Sequence, residues 1–178
     1  MQSRFVWVAA ILLATSAGAV ALVTSESEPA DLRSQIMTGM RTTLEQAGPG
    51  QHQHAAHQPA TEAQAKSPVI CGVRVYGYEP AEVTTLADVR TVYGFHLCGV
   101  AERNVPWDVA VKLAGPVILD MSTQPPGVQV VEATADVRFV DRLRDMFPDK
   151  YAQLALKEAL AAPEMADLRR RYDAAAEI

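Results

Sequence analysis

Apolar residues are spread unevenly along this chain, and their pattern divides it into three regions. Residues 5–23 form one uncharged, mostly apolar stretch. Polar residues dominate 24–67, and from residue 68 onward apolar positions recur with the short periods of strands and helices. The pattern predicts an N-terminal apolar helix within 1–23, a partly helical and mostly disordered linker over 24–67, and one folded domain over 68–178.

The first region has the features of an export signal. Arg4 precedes the apolar stretch and Glu26 and Glu28 follow it, a charge asymmetry that keeps the N-terminus inside the cell. The stretch ends in the A-x-A pattern Ala19–Ala21, at which signal peptidase cleaves. As an uncleaved helix it would span roughly 28 Å at about 1.5 Å per residue, enough for a membrane anchor. We expect an extracytoplasmic domain, secreted or anchored through 5–23.

The linker contains one helical pattern. An apolar residue recurs at every fourth position, and Pro29 and Gly48 bracket the run, which predicts an amphipathic helix over Pro29–Gln46; the apolar positions are Leu32, Ile36, Met40 and Leu44. The alternative is a transient helix with nothing to pack on. Residues 48–67 show no periodicity and indicate a flexible tether.

Three histidines lie in this tether, at His52, His54 and His57. Neutral imidazoles at this spacing could hold a divalent transition metal weakly. Without cysteines or surrounding structure the ligands would lose much conformational entropy on binding. The pattern therefore favours an ordinary polar linker, and we predict no metal site and no cofactor.

The first half of the domain reads as short strands joined by turns, and residues 122–127 form a Pro/Gly turn that no strand would cross. The predicted strands are Thr91–Val100, Asp108–Leu113, with Val109 and Val111 pointing inward, Pro116–Met121 and Val128–Ala133, with a possible edge strand at Val73–Tyr76. Before them, Ala81–Arg90 is predicted as a helix; a helix continuing over 82–100 is the alternative, since Leu86, Val89, Tyr93, His96 and Val100 also have helical spacing.

The second half reads as helices. Thr134 is a suitable N-cap for a helix whose apolar face ends at Phe147, and Pro148 and Pro163 can each begin a further helix. The run Arg169–Arg171 lies among acidic residues and indicates a solvent-facing surface. The predicted fold is α+β, a small antiparallel sheet of four to five strands with C-terminal helices.

A net charge of −5 argues against nucleic-acid binding, which requires concentrated Lys and Arg. No enzyme motif with a fixed spacing is present. The hypothesis of a small secreted hydrolase would have to use His96 with scattered carboxylates, of which the candidates are Asp108, Asp120, Glu132 and Asp136. Because scattered acidic residues of this kind usually face solvent, the sequence favours a protein without enzymatic activity.

Cys71 and Cys98 are the only cysteines. An even count in an exported domain, without C-x-x-C spacing, predicts a structural disulfide. The alternative is a nucleophilic Cys98 activated by His96, two residues away and on the same face of a strand.

Three segments, Cys71–Tyr76, Val92–Cys98 and Leu143–Pro148, resemble exported, uncharacterised proteins of high-GC Gram-positive bacteria over about residues 70–155. The resemblance implies export and the cystine but no activity. The resulting hypothesis is an interaction or structural module of the cell envelope, with an envelope protein or a cell-wall component as partner and the membrane as a second partner if 5–23 is uncleaved. The small secreted hydrolase is the alternative.

Overall fold

The computed structural model describes residues 29–47 and 66–178. The apolar stretch 5–23 and the three histidines at 52, 54 and 57 lie outside those ranges. The helices and strands are α1 (Pro29–Gln46), β1 (Val69–Glu79), β2 (Thr91–Val100), β3 (Lys112–Asp120), β4 (Gly127–Val130), α2 (Phe139–Met146), α3 (Asp149–Ala155) and α4 (Ala162–Ala176). No helix in the described part of the chain is both long and apolar enough to cross a membrane.

The strands form one antiparallel sheet in the order β1-β2-β3-β4, so the predicted α+β class is confirmed. The strand predicted at Thr91–Val100 has the observed bounds of β2, because its β-branched and aromatic residues suit a strand buried on both faces. The edge strand predicted at Val73–Tyr76 is real but extends over Val69–Glu79. The turn at 122–127 joins β3 to β4 as a hairpin.

The strand predicted at Asp108–Leu113 is wrong over its first four residues. A 3₁₀ turn occupies Trp107–Val109, and β3 begins only at Lys112. The turn allows Trp107 to be buried, with its ring packed edge-on against Tyr172 of α4 and 5.0 Å between the ring centroids. Val109 and Val111, expected inside, are consequently 73% and 48% exposed.

The helix predicted at Ala81–Arg90 is also wrong, as is the longer helix over 82–100. Only a 3₁₀ turn at Leu86–Asp88 forms in this connection. The Arg90 N–H donates to the Glu79 carbonyl at 2.9 Å, which joins the end of β1 to the start of β2. The connection is therefore a closed loop between paired strands, and its helical content is that single turn.

The helix α1 has the predicted bounds, and it packs on one face of the sheet. Its four apolar positions are buried together with alternate residues of β1, among them Cys71, Val73 and Val75. The alternative of an unpacked, transient helix is therefore wrong. The folded unit includes α1, which the sequence pattern assigns to the linker outside the 68–178 domain.

The three C-terminal helices cover the opposite face. Tyr151 of α3 stacks on Tyr93 of β2 at 5.0 Å, and Leu168 and Tyr172 of α4 are fully buried. Pro148 precedes α3 as predicted, and Pro163 is the second residue of α4. The prediction for Thr134 is wrong, because α2 begins five residues later and the Thr134 hydroxyl instead accepts the Val137 N–H within the preceding loop.

A β-bulge in β1 fits that strand to α3. The pairing with β2 shifts between Val75 and Gly77. A Cβ built on Gly77 would lie 2.2 Å from the Tyr151 ring, so only glycine allows this helix to approach the strand. The sheet thus lies between α1 on one side and α2 to α4 on the other.

Candidate functional site

The predicted disulfide between Cys71 and Cys98 is present. The two residues are directly opposite in the β1–β2 ladder, and both side chains are buried beneath α1. No free thiol remains in the chain, so the structure gives no support to a nucleophilic Cys98.

The main chain of Cys71 is bonded by side chains from both helical layers. Its N–H donates to Glu45 Oε1 of α1 at 3.0 Å, and its carbonyl accepts from Arg171 Nη2 of α4 at 2.7 Å. Arg171 also pairs with Glu45, with 3.0 Å between Nη1 and Oε1. These contacts connect α1, β1 and α4 at one point on the edge of the sheet.

The prediction of a solvent-facing Arg169–Arg171 run is therefore correct for two residues and wrong for the third. Arg169 and Arg170 are exposed and pair with Asp108 and Asp167. Arg171 keeps only 27% of its side chain exposed, because it reaches β1 and α1. The sequence signal is its position three residues after the buried Leu168, at the margin of the apolar face of α4.

A groove runs along the free edge of β1, between α1 and α4. It consists of two adjacent cavities of about 400 and 340 Å³ that share Met37 and Glu164. Its floor is the β1 segment from Gly72 to Tyr76. We call this feature the β1-edge groove; its charged lining residues are Arg33, Arg41, Arg74, Glu158, Glu164, Asp167 and Arg171.

The carboxylates of the β1-edge groove are neutralised by neighbouring arginines. Arg74 contacts Glu164 through Nη2 at 2.8 Å and Nε at 3.1 Å, and it also reaches Glu158 at 3.3 Å. The hydrogen bond with Glu164 raises the pKa of Arg74. A hydrogen bond from Arg171 lowers the pKa of Asp167, and the nearby charges act in the same direction. All three of these carboxylates are already paired with arginines.

Two arginines on the α1 wall are differently placed. The Arg33 guanidinium donates to the Val75 carbonyl, and Arg41 lies close enough to Asp167 to help lower the pKa of that carboxyl. Within residues 29–47 and 66–178, neither arginine forms an ion pair. The groove therefore has cationic groups on its α1 side that an anionic ligand could contact.

Among the described residues, no side chain bonds the main chain of Val73 on the groove floor. Paired residues of antiparallel strands alternate between pairs that exchange hydrogen bonds and pairs that do not. The main-chain groups of Cys71 bond to side chains outside the sheet, so the Cys71–Cys98 pair does not exchange hydrogen bonds. The Val73–His96 pair, two residues further along β1, is of the same type. The N–H and C=O of Val73 therefore point away from β2 into the groove.

The candidates for a hydrolase are mostly far apart. His96 is fully buried in β2, with Nδ1 donating to the Gly115 carbonyl at 2.9 Å. Asp120 pairs with Thr91, five residues along β2 from His96 and so about 17 Å away. Asp108 lies in the 3₁₀ turn and pairs with Arg169.

Of the two remaining carboxylates, Asp136 is exposed in the loop before α2, whereas Glu132 comes nearer to His96. The Val131 N–H donates to the Pro116 carbonyl, which continues the β3–β4 register and places Glu132 beside Gly115. Glu132 and His96 are thus two strands apart, about 10 Å between backbones. The structure thus places Glu132, with one buried carboxylate oxygen, across Gly115 from the fully buried His96.

No protein-family model, curated protein or solved structure matches this chain. Across the ranges that the structure describes, no group of three His, Cys, Asp or Glu residues is arranged to hold a metal ion. The β1-edge groove is accordingly the candidate site, and its interpretation rests on its own geometry.

The groove was not predicted from the sequence, although the α1 wall has a recognisable sequence pattern. Directly beside the apolar stripe of α1 runs a second stripe with the same four-residue spacing, formed by Arg33, Met37, Arg41 and Glu45. The other wall is not visible in the sequence, because Glu45 and Arg171 are 126 residues apart.

Proposed function

We propose that this protein is an extracytoplasmic interaction module of the cell envelope that binds a protein partner in the β1-edge groove. The observation that carries the proposal is the groove itself. The accessible main chain of Val73 lies on its floor, between helical walls that carry arginines and arginine–carboxylate pairs. Binding sites on sheets use such an edge because its main-chain groups supply affinity and the flanking side chains supply specificity.

Two features support export. Disulfides form and persist mainly outside the cytoplasm, and the Cys71–Cys98 bond is buried in the core. The apolar stretch 5–23, with its flanking charges, has the composition of a signal or an anchor. We therefore infer that the domain acts outside the membrane, secreted or attached through that stretch.

A C-terminal reporter that is active only outside the cytoplasm tests the location. We expect activity from the full-length chain and its loss when residues 5–23 are deleted. A full-length fusion that accumulates in the cells but shows no reporter activity would contradict export, irrespective of what the groove binds.

Site-specific photocrosslinking tests the groove. A benzophenone side chain replaces Thr38, an exposed residue on the groove wall, or Asp145, an exposed residue of α2, in the full-length chain within its own cells. We expect a discrete adduct from position 38 only, and its loss when Arg41→Glu is added. Equal adducts from both positions, or an adduct unaffected by Arg41→Glu, would refute the proposed groove function.

A further inference from the structure

We infer that the partner contributes an extended acidic segment, which adds to the free edge of β1 at Val73 and places its carboxylates against α1. The inference rests on the proposed function and specifies the chemistry of the partner. Three observations carry it, namely the backbone, the charges and the shape of the groove.

The backbone observation is that side chains block the free edge of β1 at some positions and leave it accessible at Val73. Side chains bond both outward groups of Cys71, through Glu45 and Arg171, and Arg33 bonds the outward carbonyl of Val75. Exposed strand edges are commonly blocked by charged side chains in this way. At Val73 both outward main-chain groups remain accessible. The N–H can donate to, and the C=O can accept from, one residue of an added antiparallel strand.

The charge observation decides which side chains that strand carries. Glu158, Glu164 and Asp167 are already paired with arginines, so a basic ligand would have to displace an existing ion pair. Arg33 donates to the Val75 carbonyl and Arg41 lies near Asp167, but within the described residues neither arginine forms an ion pair that an acidic ligand would have to displace. A guanidinium forms charge-assisted hydrogen bonds to carboxylates, which are stronger than neutral ones.

The shape observation requires an extended ligand. The groove runs along β1 between two helices, and its two adjacent cavities have volumes of about 400 and 340 Å³, within the range of ligand-binding clefts. Side chains of a strand alternate between its two faces. Acidic residues at alternate positions would therefore all face α1, while the intervening side chains face α4.

Selection from a random heptapeptide library against the full-length protein in detergent micelles tests this inference. We expect selected peptides to be enriched in Asp or Glu at alternate positions. Their binding should weaken at least tenfold in Arg41→Glu, and it should remain unchanged in Arg144→Glu, which makes the same charge change on an exposed residue of α2. Selection of neutral or basic peptides, or equal loss in both variants, would overturn the inference.

Two further measurements test strand addition itself. In ¹⁵N NMR spectra, a selected peptide should shift the Val73 amide more than amides of α2, and methylating the peptide backbone nitrogens should abolish binding. An unshifted Val73 amide or tight binding of the methylated peptide would overturn strand addition. If benzophenone at position 38 crosslinks a groove-dependent partner but no acidic peptide is selected, the inference fails while the proposed function stands. If no such partner is crosslinked, the proposed function fails.

Discussion

Replacing Ile36 by alanine tests whether α1 belongs to the folded unit. The Ile36 side chain is only 1% exposed and lies within the cluster that contains Val73 and Val75. Removing its three outer carbons loses transfer free energy and leaves a cavity, which together cost about 2–5 kcal/mol for a buried isoleucine. That is a large part of the roughly 5–15 kcal/mol that stabilises a domain.

The assay is urea unfolding of the full-length protein in detergent micelles, followed by circular dichroism. With a slope of about 1–3 kcal/mol per molar urea, we expect Ile36→Ala to lower the midpoint by about 1–2 M. Thr42→Ala, on an exposed position of the same helix, is the matched control and should change the free energy of unfolding by less than about 0.5 kcal/mol.

Equal midpoints for Ile36→Ala and Thr42→Ala would refute the reasoning. The helix would then be detached in solution, and the β1-edge groove would lack the wall that carries Arg33 and Arg41. The experiment therefore tests both the fold and the candidate site, and it does not depend on the identity of a partner.

Three further predictions follow from the packing. Replacing Cys71 and Cys98 by alanine should lower the free energy of unfolding by about 2–5 kcal/mol, and alkylation of the intact protein should reveal no free thiol by mass. Gly77→Ala should cost about 1–3 kcal/mol, because the added Cβ meets a tyrosine ring 2.2 Å away, whereas Gly115→Ala, with nothing within 4 Å, should cost far less; similar effects would contradict the bulge geometry. Burial, together with the Glu79 charge, raises the pKa of Tyr93 to about 12. The tyrosine of the unfolded chain therefore loses its proton at a lower pH, and the free energy of unfolding should fall as pH rises from about 10 to about 12. Urea midpoints measured across this pH range should fall less in Tyr93→Phe than in the original protein.

The elements that the sequence predicted well are those whose local pattern and tertiary environment agree. Thr91–Val100 combines β-branched and aromatic residues with a position inside the sheet, and Pro29–Gln46 combines an apolar stripe with bracketing Pro and Gly. In both cases the periodicity of the buried residues is visible within a single window of sequence.

The errors arise where a distant contact outweighs the local pattern. Val109 and Val111 alternate like strand residues, but Trp107 must reach Tyr172 on α4, and the resulting 3₁₀ turn exposes both valines. Strand propensity is weak enough for such packing to override it. No local window contains both the tryptophan and its partner.

The candidate site was less predictable than the fold for the same reason. The cysteine pair could be inferred from count and context, because two cysteines allow only one bond. The groove depends on how Arg171 and Glu45 meet at Cys71, and this contact joins residues that no sequence pattern relates. Ion pairs between distant helices have no periodic signature.

The contacts at Cys71 also connect the stability of the protein to its proposed binding. The disulfide to Cys98 fixes the register of β1 against β2, and that register determines that Val73 presents its main chain to the groove. Glu45 and Arg171 then block the neighbouring position. An edge strand left open along its length would pair with any extended chain, whereas one open position flanked by charges limits pairing to a segment whose carboxylates fit. On the proposed function, the side chains that block β1 at Cys71 would therefore also restrict which extended segment can pair at Val73.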